Sequence, residues 1–252
     1  MERELLSFGR NFRRHGFRGW TNAMMAGSQT TLRRLREQYS DPLLSVLTIL
    51  LLLMMFVVTP LHAEGIKIAE VFGMMVALVM IAGVLVISAS MTATAVITFG
   101  FLLNVVVVIA RLIKPLTYDV YLVAAAWFII ACTLAVVVGV TVFGPGRVTF
   151  HRVVGAVLLY LLIALAFVSL FTLVGRLVPN AFSGLVIKDD QKMASNMIYF
   201  SFVTLTTVGY GDILPIHPFA RSLCNLESII GQLYPATLLA RLVSLEIEGR
   251  RG

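Results

Sequence analysis

The chain has 252 residues, of which 59% are hydrophobic and 13% charged, with a mean hydropathy of +0.93. No single soluble core of this length hides so much apolar surface, so the composition excludes an ordinary water-soluble domain and points to a polytopic membrane protein. The net charge of +7 is unevenly placed, and the two cysteines, Cys132 and Cys224, lie in apolar runs that give neither a disulfide framework nor metal-ligand spacing.

Residues 1–42 form a basic arm, and its first 40 residues hold eight arginines (Arg3, Arg10, Arg13, Arg14, Arg18, Arg33, Arg34, Arg36) against three acids (Glu2, Glu4, Glu37). A basic arm can bind nucleic acid. Directly before an apolar span it reads better as a cytoplasmic flank obeying the positive-inside rule, so no nucleic-acid partner is expected. Its apolar residues, Leu5, Leu6, Phe8, Phe12, Phe17 and Trp20, also allow a helix lying among anionic lipid headgroups. Gly9, Gly16 and Gly19 interrupt that pattern and leave a loosely ordered tail as the second reading.

The first span is expected at 43–59, opened by Pro42 and closed by Pro60. Leu61-His62-Ala63 has the look of a signal-peptidase site, but the basic region before it is far longer than a signal peptide carries, and an uncleaved helix is expected. Further spans are expected at 68–88, 91–113 and 118–143, the last broken by Gly144-Pro145-Gly146. A fifth follows at 148–178 and ends before Pro179. After a polar stretch at 180–192, residues 193–212 are too short to cross a bilayer, which takes about 20 apolar residues. They read as a re-entrant helix at 194–206 and a loop. The last span is expected at 219–247.

Six spans place both termini on one side, and the arginine arm places that side in the cytoplasm. The turn with Arg147, His151 and Arg152 and the tail with Arg241, Arg250 and Arg251 then also lie inside. Arg111 and Lys114 are the exception, falling outside. A five-span chain would export the arm, so six is kept.

The loop reads Thr206-Thr207-Val208-Gly209-Tyr210-Gly211-Asp212. A row of backbone carbonyls can replace a cation's water if consecutive units point the same way, and glycine tolerates the dihedrals this needs. Irregular backbone at this depth is allowed only where it is buried or lines a watery path. The stretch resembles the TVGYG selectivity filter of tetrameric potassium channels. The resemblance implies an all-α membrane protein with six transmembrane helices and a re-entrant pore helix and filter between helices five and six. It implies a homotetramer, with three identical subunits as partners, because one chain supplies one loop. Potassium ions, the permeant ligand and not a cofactor, would sit at Thr207, Val208, Gly209 and Tyr210, with Gly211 completing the filter and Thr207 adding its hydroxyl at the inner end. Thr206 and Asp212 flank it, and Tyr199 and Phe200 are expected to collar it. Where many such channels carry a glutamate one turn before the filter, this chain has Val203.

The last span also resembles the pore-lining helix of small bacterial potassium channels, through Leu226-Glu227-Ser228-Ile229-Ile230-Gly231-Gln232-Leu233-Tyr234 and Ala240-Arg241-Leu242-Val243. Gly231 matches their gating hinge. Pro235 removes the hydrogen bond to the carbonyl of residue 231, so a kink there is expected from local chemistry too. A gating hinge and a fixed bend are the two readings. Glu227 is the acid deep in this span, and intramembrane acids face a cavity or a partner. Either it braces the pore helix through Ser201 or Thr204, or it sits solvated nearer the outer interface. Asp189 and Asp190 would ring the outer mouth, or form a solvated turn.

The domains expected are the arm at 1–42, a peripheral four-helix region at 43–147, a pore domain at 148–248 and a tail at 249–252. The fourth span has no lysine or arginine, so it lacks the charge ladder of a voltage sensor. Ile247-Glu248-Gly249-Arg250 can be a protease-site remnant. His15, His62, His151 and His217 are scattered and phosphate-binding glycine loops are missing, so no enzyme is expected. The expectation is a potassium-selective channel in a plasma membrane, the bacterial inner membrane. The alternatives are a weakly selective monovalent cation channel, the pore subunit of a potassium uptake transporter, which carries four degraded filter repeats, or a non-conducting membrane subunit. The intact single TVGYG weighs against each.

Overall fold

A computed structural model describes residues 42–66, 91–113, 119–144, 149–185 and 191–251, all within the unit Pro42–Gly252. The arginine arm, the span expected at 68–88, Lys114, Pro145, Gly146, Arg147, Asp189 and Asp190 lie outside the described residues.

The described chain is helical. Helix α1 spans Pro42–Ala63, α2 Met91–Ile113, α3 Asp119–Val142, α4 Phe150–Leu177, α5 Gln191–Leu205 and α6 Pro218–Arg251. Two short strands, β1 Phe182–Ser183 and β2 Leu214–Pro215, pair antiparallel. Among the described residues three helices, α1, α3 (from Tyr121) and α4, are long and apolar enough to cross a membrane. Helix α6 is the longest at 34 residues, but Asn225, Glu227, Ser228 and Gln232 interrupt its apolar run.

Pro60 does not close the first helix. The helix runs on to Ala63 because the turn before the proline widens into a π-helix at Met54–Val58. Proline has no N–H to give and its ring crowds the preceding turn. The wider turn absorbs both effects: the Thr59 amide bonds back to the Met54 carbonyl, which also accepts the Thr59 hydroxyl at 2.8 Å. At the other end of the chain α6 continues through Pro235 as one helix.

Helix α4 holds the architecture together. Thr149 caps it, its side-chain oxygen accepting from the Arg152 amide at 3.3 Å. One apolar cluster joins Leu44, Leu47, Leu51 and Met55 of α1 to Val138 and Val142 of α3 and to Ala156, Leu158, Leu159 and Leu162 of α4. Ile198 and Phe202 of α5 pack against it, so α1 meets α5 directly, and the Phe56 and Phe202 ring centres are 5.2 Å apart. A second cluster lies between α4 and α5: Phe167 and Phe171 meet Phe182, Met193, Met197 and Phe200. Met193, Met197 and Phe200 recur at helical spacing and bury one face of α5.

Candidate pore-lining site

Helix α5 begins at Gln191, three residues before the expected start, since Met193 is already buried on its inner face. It ends at Leu205, and the chain leaves it as an irregular strand from Thr206 to Ile213. The amides of this strand turn back onto the end of the helix. Thr206 N donates to Phe202 O at 3.0 Å and Thr207 N to Thr204 O at 3.0 Å. Val208 N and Gly209 N both donate to Val203 O, at 3.0 and 3.3 Å. At position 203 it is thus the backbone carbonyl of a valine that holds the strand to the helix end. In a trans peptide the carbonyl points opposite the amide, so the Thr207 and Val208 carbonyls turn away from Val203 O.

The dihedrals explain the residue types. Gly209 and Gly211 have φ of 59° and 80°, while a Cβ on either would meet nothing within 4 Å. Conformation, not space, demands glycine there. Thr207 also has a positive φ, 58°. For a β-branched residue this is a strained geometry, costing about 1–3 kcal/mol, and it persists only where neighbours over-determine it. Thr206 through Asp212 are all exposed on the single chain, Val208 by 54% and Tyr210 by 72%.

Four contacts from α6 run along α5 into this strand. Glu227, fully buried, places Oε1 2.5 Å from Ser201 Oγ, which also reaches the Ala164 carbonyl of α4 at 3.0 Å. Glu227 Oε2 is buried with no hydrogen-bond partner. Ser228 Oγ donates to Thr204 O at 3.2 Å. Gly231 lies against the end of α5, where a Cβ would come within 1.9 Å of Leu205 O. Gln232 Nε2 donates to Thr207 Oγ1 at 2.8 Å. Of the two readings of Glu227, the geometry gives the contact with Ser201.

Tyr199 faces Tyr210, the rings parallel within 5° and 6.3 Å apart. Asp212 Oδ1 accepts from the Ile213 amide at 3.0 Å. Phe200 does not join this collar. It is buried on the far side of α5, 4.9 Å from Phe171 and 5.3 Å from Phe182. Neighbouring residues on a helix point about 100° apart, and here Tyr199 turns to the loop while Phe200 turns to the phenyl rings behind α5.

Beyond Asp212 the strand is clamped by the segment after α4. β1 pairs with β2, and Ile216 N and His217 N both donate to Ala181 O, at 2.8 and 3.2 Å. Sequence reasoning missed this clamp, Ser228 and Gln232. The last two had a signal: 227, 228, 231 and 232 recur at i, i+1, i+4 and i+5, a polar stripe on one face of an apolar helix. Among the described residues no three His, Cys, Asp or Glu side chains gather as a metal site.

Residues 177–247, well under half of the sequence, match the model of a family described as "Ion channel". Protein LctB of Bacillus caldotenax is 35% identical over 65 residues, covering 26% of this chain and 45% of LctB, so the match spans less than half the length of that relative. No solved structure matches. The matched stretch holds α5, the irregular strand and most of α6, which supports an ion-channel, non-enzymatic reading of a membrane-embedded helical protein.

Proposed function

We propose that the protein is a potassium-selective channel, conducting passively through Thr207, Val208, Gly209, Tyr210 and Gly211. The observation that carries this reading is the direction of the backbone: the Val208 and Gly209 amides are spent on Val203 O, which turns the Thr207 and Val208 carbonyls of the same trans peptide units the opposite way, where they can replace water around a cation. Four copies around one axis would give the carbonyl rings, so the functional unit is a homotetramer. The exposure of Val208 and Tyr210 on one chain fits that need. Thr206 and Asp212, with Tyr199 and Glu227, hold the filter. Phe200 supports it at one remove, through the phenyl cluster behind α5.

Gly231 and Pro235 form the proposed bend in α6. Its outer side is fixed to α5 by Glu227 and Ser228. Beyond it Arg241 donates to Phe143 O at 2.7 Å and lies 4.8 Å over the Phe143 ring. A bend between two anchored stretches is where the pore can open. The filter faces outward, both termini lie in the cytoplasm, and the arginine arm lies on anionic lipid at a bacterial inner membrane.

The test is ion flux from liposomes holding the purified chain. Potassium flux well above sodium flux is expected, and Gly209→Ala and Tyr210→Val should abolish the difference. Equal flux of the two ions, or selectivity surviving both substitutions, rejects the reading. No flux under voltage, pH or tension favours a non-conducting subunit.

A further inference from the structure

Gln232 is the last of the four α6 contacts and the one that leaves the helix for the strand. Its side-chain amide donates to Thr207 Oγ1 at 2.8 Å. Both residues are exposed on the single chain, on the same surface as Val208 and Tyr210. Thr207 is also one of two non-glycine residues with positive φ among the described residues, the other being Asn180 in the turn after α4. A strained threonine with its hydroxyl held by an amide from another helix has its side chain aimed, not free to rotate.

We propose that Gln232 is a positioning residue of the pore, tuning the innermost cation site by taking one lone pair of the Thr207 hydroxyl. The inference rests on the reading of Thr207–Gly211 as a filter. A hydroxyl oxygen offers two lone pairs and one proton. With one pair occupied by the Gln232 N–H, a single pair is left for a cation. The amide hydrogen also puts positive partial charge beside the oxygen that the cation would use, and near a low-dielectric pore wall this counts for more than in water. Both effects weaken cation binding at the inner end, so an ion there leaves readily for the water beyond. Gln232 sits one residue past Gly231, so movement of α6 at the bend would carry the amide with it and alter the site.

The experiment uses the full chain in lipid bilayers with barium as the probe, a divalent cation close to potassium in size that competes for the same oxygens. Gln232→Leu keeps the bulk and removes the donor, so barium should block from the inner side at a roughly three- to tenfold lower concentration, the factor one net hydrogen bond represents. Gln232→Glu replaces the donor with a charged acceptor and should strengthen block further. In a Thr207→Ala background, with the hydroxyl gone, Gln232→Leu should change nothing, whereas in Thr207→Ser the effect should persist. A general loosening of the pore would not depend on the hydroxyl in this way. Unchanged or weaker barium block in Gln232→Leu and Gln232→Glu, with the wild-type chain still potassium-selective, overturns this inference and leaves the channel reading intact. A wild-type chain passing sodium and potassium alike overturns both.

Discussion

Helix α5 is held from two sides by different chemistry. Toward α4 it presents Met193, Met197 and Phe200 to Phe167, Phe171 and Phe182, an apolar contact of edge-on and tilted rings. Toward α6 it presents Ser201, Thr204 O, Leu205 O and, past its end, Thr207 to Glu227, Ser228, Gly231 and Gln232. Apolar contact is strong but tolerates small slides, because its energy follows buried area. Hydrogen bonds between named atoms tolerate little, because they weaken steeply with distance and angle. The α4 side therefore supplies stability and the α6 side supplies register. A backbone loop that must coordinate an ion needs both.

Substitutions on the two sides should separate these roles. The largest loss of stability is expected on the α4 side: Phe171→Ala removes a fully buried ring at the centre of the phenyl cluster and should cost about 3–5 kcal/mol in thermal or denaturant unfolding in detergent. Ion selectivity of whatever remains folded should be unchanged. If selectivity is lost and stability kept, the division is wrong.

Gly231→Ala comes next. Its Cβ would meet a backbone carbonyl, so helices α5 and α6 must move apart, at a cost of about 1–3 kcal/mol or more. Full stability with altered opening in single-channel records would instead assign Gly231 to bending alone.

Glu227→Leu removes the Ser201 contact while Ser201 keeps the Ala164 carbonyl, so it should cost about 0.5–1.5 kcal/mol, and it should reduce potassium over sodium discrimination by disturbing register. Glu227→Gln, which keeps a polar partner for Ser201, should stay within about 1 kcal/mol of the parent. Leucine behaving like glutamine in both measurements would remove Glu227 from the bracing role.

The smallest effect belongs to a third neighbour. Phe56→Ala breaks the contact of α1 with Phe202, and, since Phe56 is half exposed, should cost about 0.5–1.5 kcal/mol without touching selectivity. A change in ion preference there would promote α1 from packing partner to part of the filter's support.

The sequence was informative wherever the physics is local. Apolar runs placed α2, α3 and α4 within two residues of their observed ends. The glycines at 209 and 211 were legible because each answers to a positive dihedral that other residues adopt less easily. What stayed hidden was non-local. Pro60 looked like a stop because the rule for proline concerns one turn, while the π-helix that rescues it spreads the strain over five residues. Strands of two residues carry no alternation to read, so the β1–β2 clamp gave no signal. Phe200 was misplaced by grouping it with its neighbour in sequence when helix geometry separates them. The contact of Gly231 with Leu205 O could not be inferred from a glycine that also suits a bend.

The most direct measurement is the reversal potential of the reconstituted chain in a planar bilayer, with potassium on one side and sodium on the other at equal concentration. A potential displaced far toward that of a potassium electrode, and lost in Gly209→Ala, is the result the account predicts. A current through the wild-type chain that reverses near zero would contradict it.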